Sequence, residues 1–133
     1  MTGTRVGVGV VVQRPDGRVL VGRRRAEPGA PLAVPGGKLD PDESVEECAV
    51  RELEEETGLR VAADDATVFA AILADGWVVP GVRVAIDDAH AEPQTREPGK
   101  FGDFAWIDPQ APPPDAYPAT AALLAALAAA PAR

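Results

Sequence analysis

Three glutamates, Glu52, Glu55 and Glu56, stand at i, i+3 and i+4, and a helix over that stretch puts all three carboxylates on one face. Like charges at helical spacing destabilise a helix by roughly 0.2–0.5 kcal/mol per pair. These acids also fall in the last turns before Gly58, the expected C′ residue. There the negative end of the helix dipole makes an anion unfavourable by roughly 0.3–1 kcal/mol. A cation among the three removes both penalties. Mg²⁺ suits carboxylate oxygens and keeps waters and substrate phosphates as its other ligands; Mn²⁺ is the expected substitute. A sequence that breaks a local rule in this way points to a functional site.

The acidity is confined to this region. From Asp40 to Glu56 nine acids face one base, Arg51, which equals the net charge of −8 carried by all 133 residues; the rest of the chain is neutral. It is therefore not a general solubility device.

Gly37, five residues, Glu43, seven residues, then Arg51-Glu52-Leu53-Glu54-Glu55-Glu56-Thr57-Gly58-Leu59 resembles a complete Nudix box. The order of the surrounding elements resembles the family too. The resemblance implies an α/β/α sandwich and Mg²⁺-dependent hydrolysis of a diphosphate linkage. It further implies that Glu55 and Glu56 ligate the metal, that Glu52 is a ligand or the base that orients the attacking water, and that the Gly37 carbonyl joins the metal shell. Arg51 would hold a glutamate, Glu52, in place, and Glu43 would be a structural partner for the loop and helix start. Gly36, Gly37 and Gly58 complete the structural motif. Some family members recruit a fourth glutamate from the loop before the penultimate strand; Glu97 has that position, with Glu92 as the alternative.

The elements that must position these groups are legible in turn. Val6–Gln13 is a Val/Gly-rich buried strand in which Gly7 and Gly9 allow close approach of another backbone. Arg14-Pro15-Asp16-Gly17 is a turn, and Arg18–Arg23 returns as the second strand of a hairpin. Arg23 is a candidate phosphate contact, since guanidinium matches phosphate geometry; Arg24 and Arg25 rank behind it. Ala26–Val34 is a loop, and Val34-Pro35-Gly36-Gly37 enters the box, with Lys38 either a phosphate contact or a solvated lysine. Asp42 or Ser44 caps the helix, and Ser44 with Glu47 fits a capping box. Val45, Cys48, Ala49 and Leu53 form its apolar stripe, with Cys48 as a buried small hydrophobe.

Arg60–Leu73 supplies one or two strands, with Val68, Phe69, Ile72 and Leu73 in the core. After a turn at Asp75-Gly76, Trp77–Ile86 is a strand interrupted at Pro80-Gly81, which suggests a bulge or an edge. Asp87–Gly102 is a polar loop containing a solvated His90, followed by the strand Phe104–Ile107. Pro109–Pro118 crosses the surface without regular structure, and Ala119–Ala130 is a closing helix with Leu123, Leu124 and Leu127 on its apolar side. The sum is one α+β domain over residues 1–133, with a mixed sheet between helices.

The single cysteine excludes an internal disulfide framework. The sequence has no basic-then-apolar leader and no membrane-length apolar run, so a cytoplasmic location is expected. A small-molecule nucleotide is the expected partner, with no nucleic acid, no membrane, and a homodimer allowed. Trp77 and Tyr117 are the candidates to stack a base; Phe69, Phe104 and Trp106 belong to the core. The segment AEPQTREPGKFGDFAW resembles MutT-like nucleoside triphosphate pyrophosphohydrolases, which implies release of pyrophosphate and a nucleoside monophosphate. A hydrolase of nucleoside diphosphate sugars such as ADP-ribose is the alternative enzyme. A nucleotide-sensing module that kept the fold and lost turnover is the alternative of another class.

Overall fold

A computed structural model describes residues 5–88 and 90–129. Seven strands and two helices follow one another as β1 (Arg5–Gln13), β2 (Val19–Arg24), β3 (Leu32–Ala33), β4 (Gly36–Lys38), α1 (Val45–Thr57), β5 (Ala66–Ala74), β6 (Trp77–Ala85), β7 (Phe101–Ile107) and α2 (Pro118–Ala129), with a short 3₁₀ turn at Ala63–Asp65. The sheet runs β3-β2-β1-β6-β5, with β4 on β1 and β7 on β2. β1 and β6 are parallel and every other pairing is antiparallel, so the sheet is mixed.

Alternation along β1 divides the core between the two faces of the sheet. Val8, Val10 and Val12 pack with Cys48, Ala49 and Leu53 of α1. Val11 packs on the other side with Leu123 and Leu124 of α2. Gly9 and Gly81 leave room there, because a Cβ on either would stand 2.5 or 2.6 Å from a Leu123 methyl. The expected close approach of another backbone to the β1 glycines is made by β4, where a Cβ on Gly36 would stand 3.2 Å from Gly9 Cα, and the side chains of Leu123 at Gly9 and Trp77 at Gly7 use the same room.

Beyond the hairpin turn the sheet forks. β1 and β2 pair at Gln13 and Val19, after which the amino-terminal half of β1 takes β4 as its partner, Gly9 opposite Gly36 and Gly7 opposite Lys38. A Cβ on Gly36 would lie 2.0 Å from the Val8 carbonyl oxygen, so glycine is what allows this pairing. The box entry is therefore a strand, and the expected loop before it contains another, β3. β7 begins at Phe101, three residues earlier than the sequence suggests.

β6 lies between β1 and β5, so Pro80 does not mark an edge. The irregularity sits on the neighbouring strand instead: the β5–β6 register shifts between Val68 and Ala70. β5 is the edge strand, which corrects two core assignments. Leu73 is 83% exposed and Val68 43%, while Phe69 and Ile72 pack towards α2. Only the Ala66 end of β5 joins the core beneath α1, and among the described residues nothing covers Leu73. Leu73→Ser is accordingly expected to change unfolding free energy by no more than about 0.5 kcal/mol. Leu53→Ala should lose about 2–5 kcal/mol. Urea denaturation of the two variants checks the contrast.

The ends of α1 are well determined. Ser44 is the N-cap and forms the full capping box with Glu47, so Ser44 rather than Asp42 is the cap. Gly58, at φ 76°, closes the helix and donates its N–H to Glu54 O. The buried Thr57 hydroxyl donates to Leu53 O at 2.7 Å and accepts the Leu59 N–H at 3.1 Å. The end Ala130 assigned to the last helix lies outside the described residues. Among the described residues no helix is long and apolar enough to cross a membrane.

Candidate active site

Arg51, one helical turn inside the acidic face, is the hub of the site. Its Nε and Nη2 donate to the two oxygens of Glu43 at 2.9 and 2.7 Å, a bidentate pair. Its Nη1 donates to Glu52 at 2.9 Å and Glu55 at 2.8 Å, and Nη2 also reaches the Lys38 carbonyl at 3.2 Å. Glu43 in turn accepts the Asp40 N–H at 2.9 Å, which ties the loop between β4 and α1 to the helix. The Arg51 guanidinium, through these hydrogen bonds, holds the Glu43 carboxyl down at about 2. The guanidinium therefore holds Glu52, as the sequence suggests, and also Glu55 and Glu43. Part of the expected charge penalty is thus met from within the chain. The dipole at the end of α1 is met too: the Gln94 N–H donates to Thr57 O at 2.8 Å, and the Arg96 guanidinium lies against Gly58.

Glu56 is the least comfortable acid. Its Oε1 accepts the Gly36 N–H at 2.8 Å, yet burial pushes its carboxyl up to about 8. The charges of Glu52 and Glu97 push the same way, and Arg24 and the Gly36 N–H oppose them. Glu52 is also raised, by burial first, with Arg51 opposing and Glu55 and Glu97 adding to the rise. Gly37 makes the place for Glu52, since a Cβ there would stand 2.3 Å from the Glu52 carboxyl carbon. Glu97 is thus close enough for its charge to act on both acids, whereas Glu92 is exposed. The Glu97 turn is fastened by Arg25, whose N–H donates to Lys100 O at 2.8 Å. The Arg25 guanidinium donates to Pro98 O and pairs with Asp103 at 3.0 Å.

Among the described residues, no three His, Cys, Asp or Glu side chains are gathered as a ready-made metal cage. Glu52 and Glu55 turn to Arg51, and Glu56 turns to Gly36. The donor chemistry nonetheless fits a hard divalent cation: the groups are all carboxylate oxygens, and a cation would relieve the burial and repulsion that lift Glu56 and Glu52.

A cavity of about 640 Å³ opens where the sheet forks. Glu56, Gly36 and Gly37 line it together with Arg24, Tyr117, Trp77, Lys38 and Lys100. The Arg24 guanidinium stacks on the Tyr117 ring at 4.1 Å, and Lys38 Nζ lies 5.8 Å from the Trp77 ring centre. Lys38, Trp77 and Tyr117 therefore meet in one cleft. Arg23 does not line it: its guanidinium pairs with Asp115 and donates to Ala30 O. The cavity arginine is Arg24, which ranked behind Arg23 in the sequence.

The NUDIX domain family model matches residues 3–127, and the chain belongs to that family. The crystal structure of a MutT NUDIX hydrolase from Burkholderia pseudomallei matches with a TM-score of 0.82 and 30% identity, covering 95% of this chain and 99% of that one. An RNA pyrophosphohydrolase of Novosphingobium aromaticivorans is 28% identical over 127 residues, 77% of this chain and 76% of that protein. An octanoyltransferase of Myxococcus xanthus is 51% identical over 108 residues, but the chain spans only 30% of that protein's length.

Proposed function

We propose that the chain is a one-domain, Mg²⁺-dependent pyrophosphohydrolase of nucleoside triphosphates, with Mn²⁺ as a substitute ion, acting in the cytoplasm. The observation that carries this is Glu56: a partly buried, raised carboxyl lining a cleft that also presents Arg24, Lys38, Lys100 and the rings of Trp77 and Tyr117. Anionic phosphates meet the cations, and a base meets the rings.

Glu52, Glu55, Glu56, Glu97 and the Gly37 carbonyl are the groups that would hold the metal. When bound, it neutralises phosphate charge and makes a nucleophile of water. Arg51 fixes the directions of Glu52 and Glu55. Glu52 would either join the metal's ligands or act as the base that orients the attacking water and accepts its proton. The water oxygen bonds to phosphorus, the anhydride P–O bond breaks, and its electron pair leaves with pyrophosphate. Lys38 and Arg24 hold the phosphates, while Trp77 and Tyr117 hold the base.

A second substrate, a 5′-terminal triphosphate on RNA, is favoured by the match to an RNA pyrophosphohydrolase over most of both chains. The net charge of −8 weighs against a polyanion and favours the free nucleotide. Nucleoside triphosphates, ADP-ribose and a 5′-triphosphorylated oligoribonucleotide, each incubated with protein and Mg²⁺, separate these cases by their products. Pyrophosphate and a nucleoside monophosphate from free triphosphates are expected. Turnover of ADP-ribose or the oligonucleotide alone would replace the substrate assignment, and binding without any turnover would make the chain a sensor.

A further inference from the structure

The first turn of α2 does more than close the domain. Two hydrogen bonds fasten it to the segment that leads into the box. The Tyr117 N–H donates to Leu32 O at 2.7 Å, and the Thr120 hydroxyl accepts the Val34 N–H at 3.0 Å. Thr120 is 2% exposed and Val34 9%, so no water stands ready to replace the hydroxyl as acceptor. On the next residue, the Pro35 carbonyl accepts the Val10 N–H at 2.8 Å. One residue further, the Gly36 N–H donates to Glu56 at 2.8 Å. Successive backbone groups of Val34–Gly36 thus connect α2, β1 and the carboxylate of α1.

We propose that Thr120 is a positioning residue: by holding the Val34 N–H it sets where the Gly36 N–H stands and so aims the Glu56 carboxylate. Tyr117, stacked with Arg24 and lining the same cleft as Glu56, stands directly before the first turn of that helix. Tyr117 and Glu56 are therefore both tied to the Leu32–Gly36 segment, and a ligand seated against Tyr117 meets Glu56 at a set distance. Gly36 has little room to shift on its own, since one of its Cα hydrogens points at the Val8 carbonyl oxygen. This inference rests on Glu56 being a working acid of the site, but the bond network can be tested without any turnover.

The test compares Thr120→Val, which keeps the shape and removes the acceptor, with Thr120→Ser, which keeps the acceptor. Amide hydrogen exchange is followed by NMR at Val34 and Gly36. In Thr120→Val both amides should exchange about tenfold faster or more, with Val11 and Val12 unchanged. Thr120→Ser should stay near wild type. Turnover of Thr120→Val should show kcat down by about tenfold with KM within about twofold, because misplacement of a reacting group costs rate more than binding. Unchanged Gly36 exchange in Thr120→Val, or equal behaviour of the two variants, would overturn the proposal. Should Thr120→Val fail to fold, wild-type exchange decides: Val34 and Gly36 should open together, and independent opening counts against the link. If the wild-type chain hydrolyses nothing on the nucleotide panel, the proposed activity fails while the exchange result still stands.

Discussion

Glu56→Gln is expected to lower kcat by ~10²–10⁴-fold with the fold retained. Glutamine preserves the acceptor for the Gly36 N–H, so the wall of the cleft stays in place. It removes the negative charge that burial and the neighbouring Glu52 and Glu97 make costly. The sign of the stability change follows from linkage. The Glu56 carboxyl stands near 8 in the folded chain against 4.5 for the free group, so between those values the folded state binds more protons than the unfolded one. Stability of metal-free wild type should fall as pH rises through that window, by an amount of order a few kcal/mol. The variant has no such group and should lack that part of the slope. Thermal melts in chelator at pH 5.5, 7 and 8.5 read the difference. Melting of the variant well below wild type at pH 8.5 would make Glu56 a structural acid rather than a working one. Added Mg²⁺ should raise the melting temperature of wild type more than that of the variant, because a ligand bound only by the folded state stabilises it.

The box could be read from the chain because its informative positions are local. Glycines, cap and acids fall within 23 consecutive residues, and helical geometry alone relates them. Long-range partners were hidden. Glu43 and Arg51 stand eight residues apart across a loop, helix cap and helix, and their bidentate contact depends on how that loop folds back. The choice between Arg23 and Arg24 depended on β2 register, which shifts against β7 between Val21 and Arg23. Three consecutive arginines carry no signal of that shift. Leu73 looked like core because apolar periodicity says which residues share a face and not whether a helix covers it. β3 and β4, at two and three residues, are too short to show any period. The loop groups that cap α1 from outside, Gln94 and Arg96, had no sequence mark. Without those two groups, a metal is the only remedy the sequence offers for the charged end of the helix.

Arg51 is the other group that relieves the acidic face, and its removal should have the largest effect on stability among the charged residues of the box. Arg51→Met keeps much of the packing length and takes away the partner of Glu43, Glu52 and Glu55 together. The Glu43 side chain is only 13% exposed, so its lost charge-assisted bonds should destabilise the fold by about 2–3 kcal/mol at pH 7. Arg51→Lys should recover only part of this, because an ammonium cannot make the bidentate fork. The pH dependence is opposite to that of Glu56. The Glu43 carboxyl is depressed from 4.5 to about 2, so its contribution is present above 4.5 and lost as pH falls towards 2. The gap in stability between wild type and Arg51→Met should therefore narrow through that window. Equilibrium urea unfolding at pH 7, 4.5 and 3 measures the gap. An unchanged midpoint at pH 7 would show that the guanidinium is not what holds these acids together. A gap that widened on acidification would place its action elsewhere than on Glu43. Loss of activity with stability intact would instead confine Arg51 to aiming Glu52 and Glu55 at the cleft.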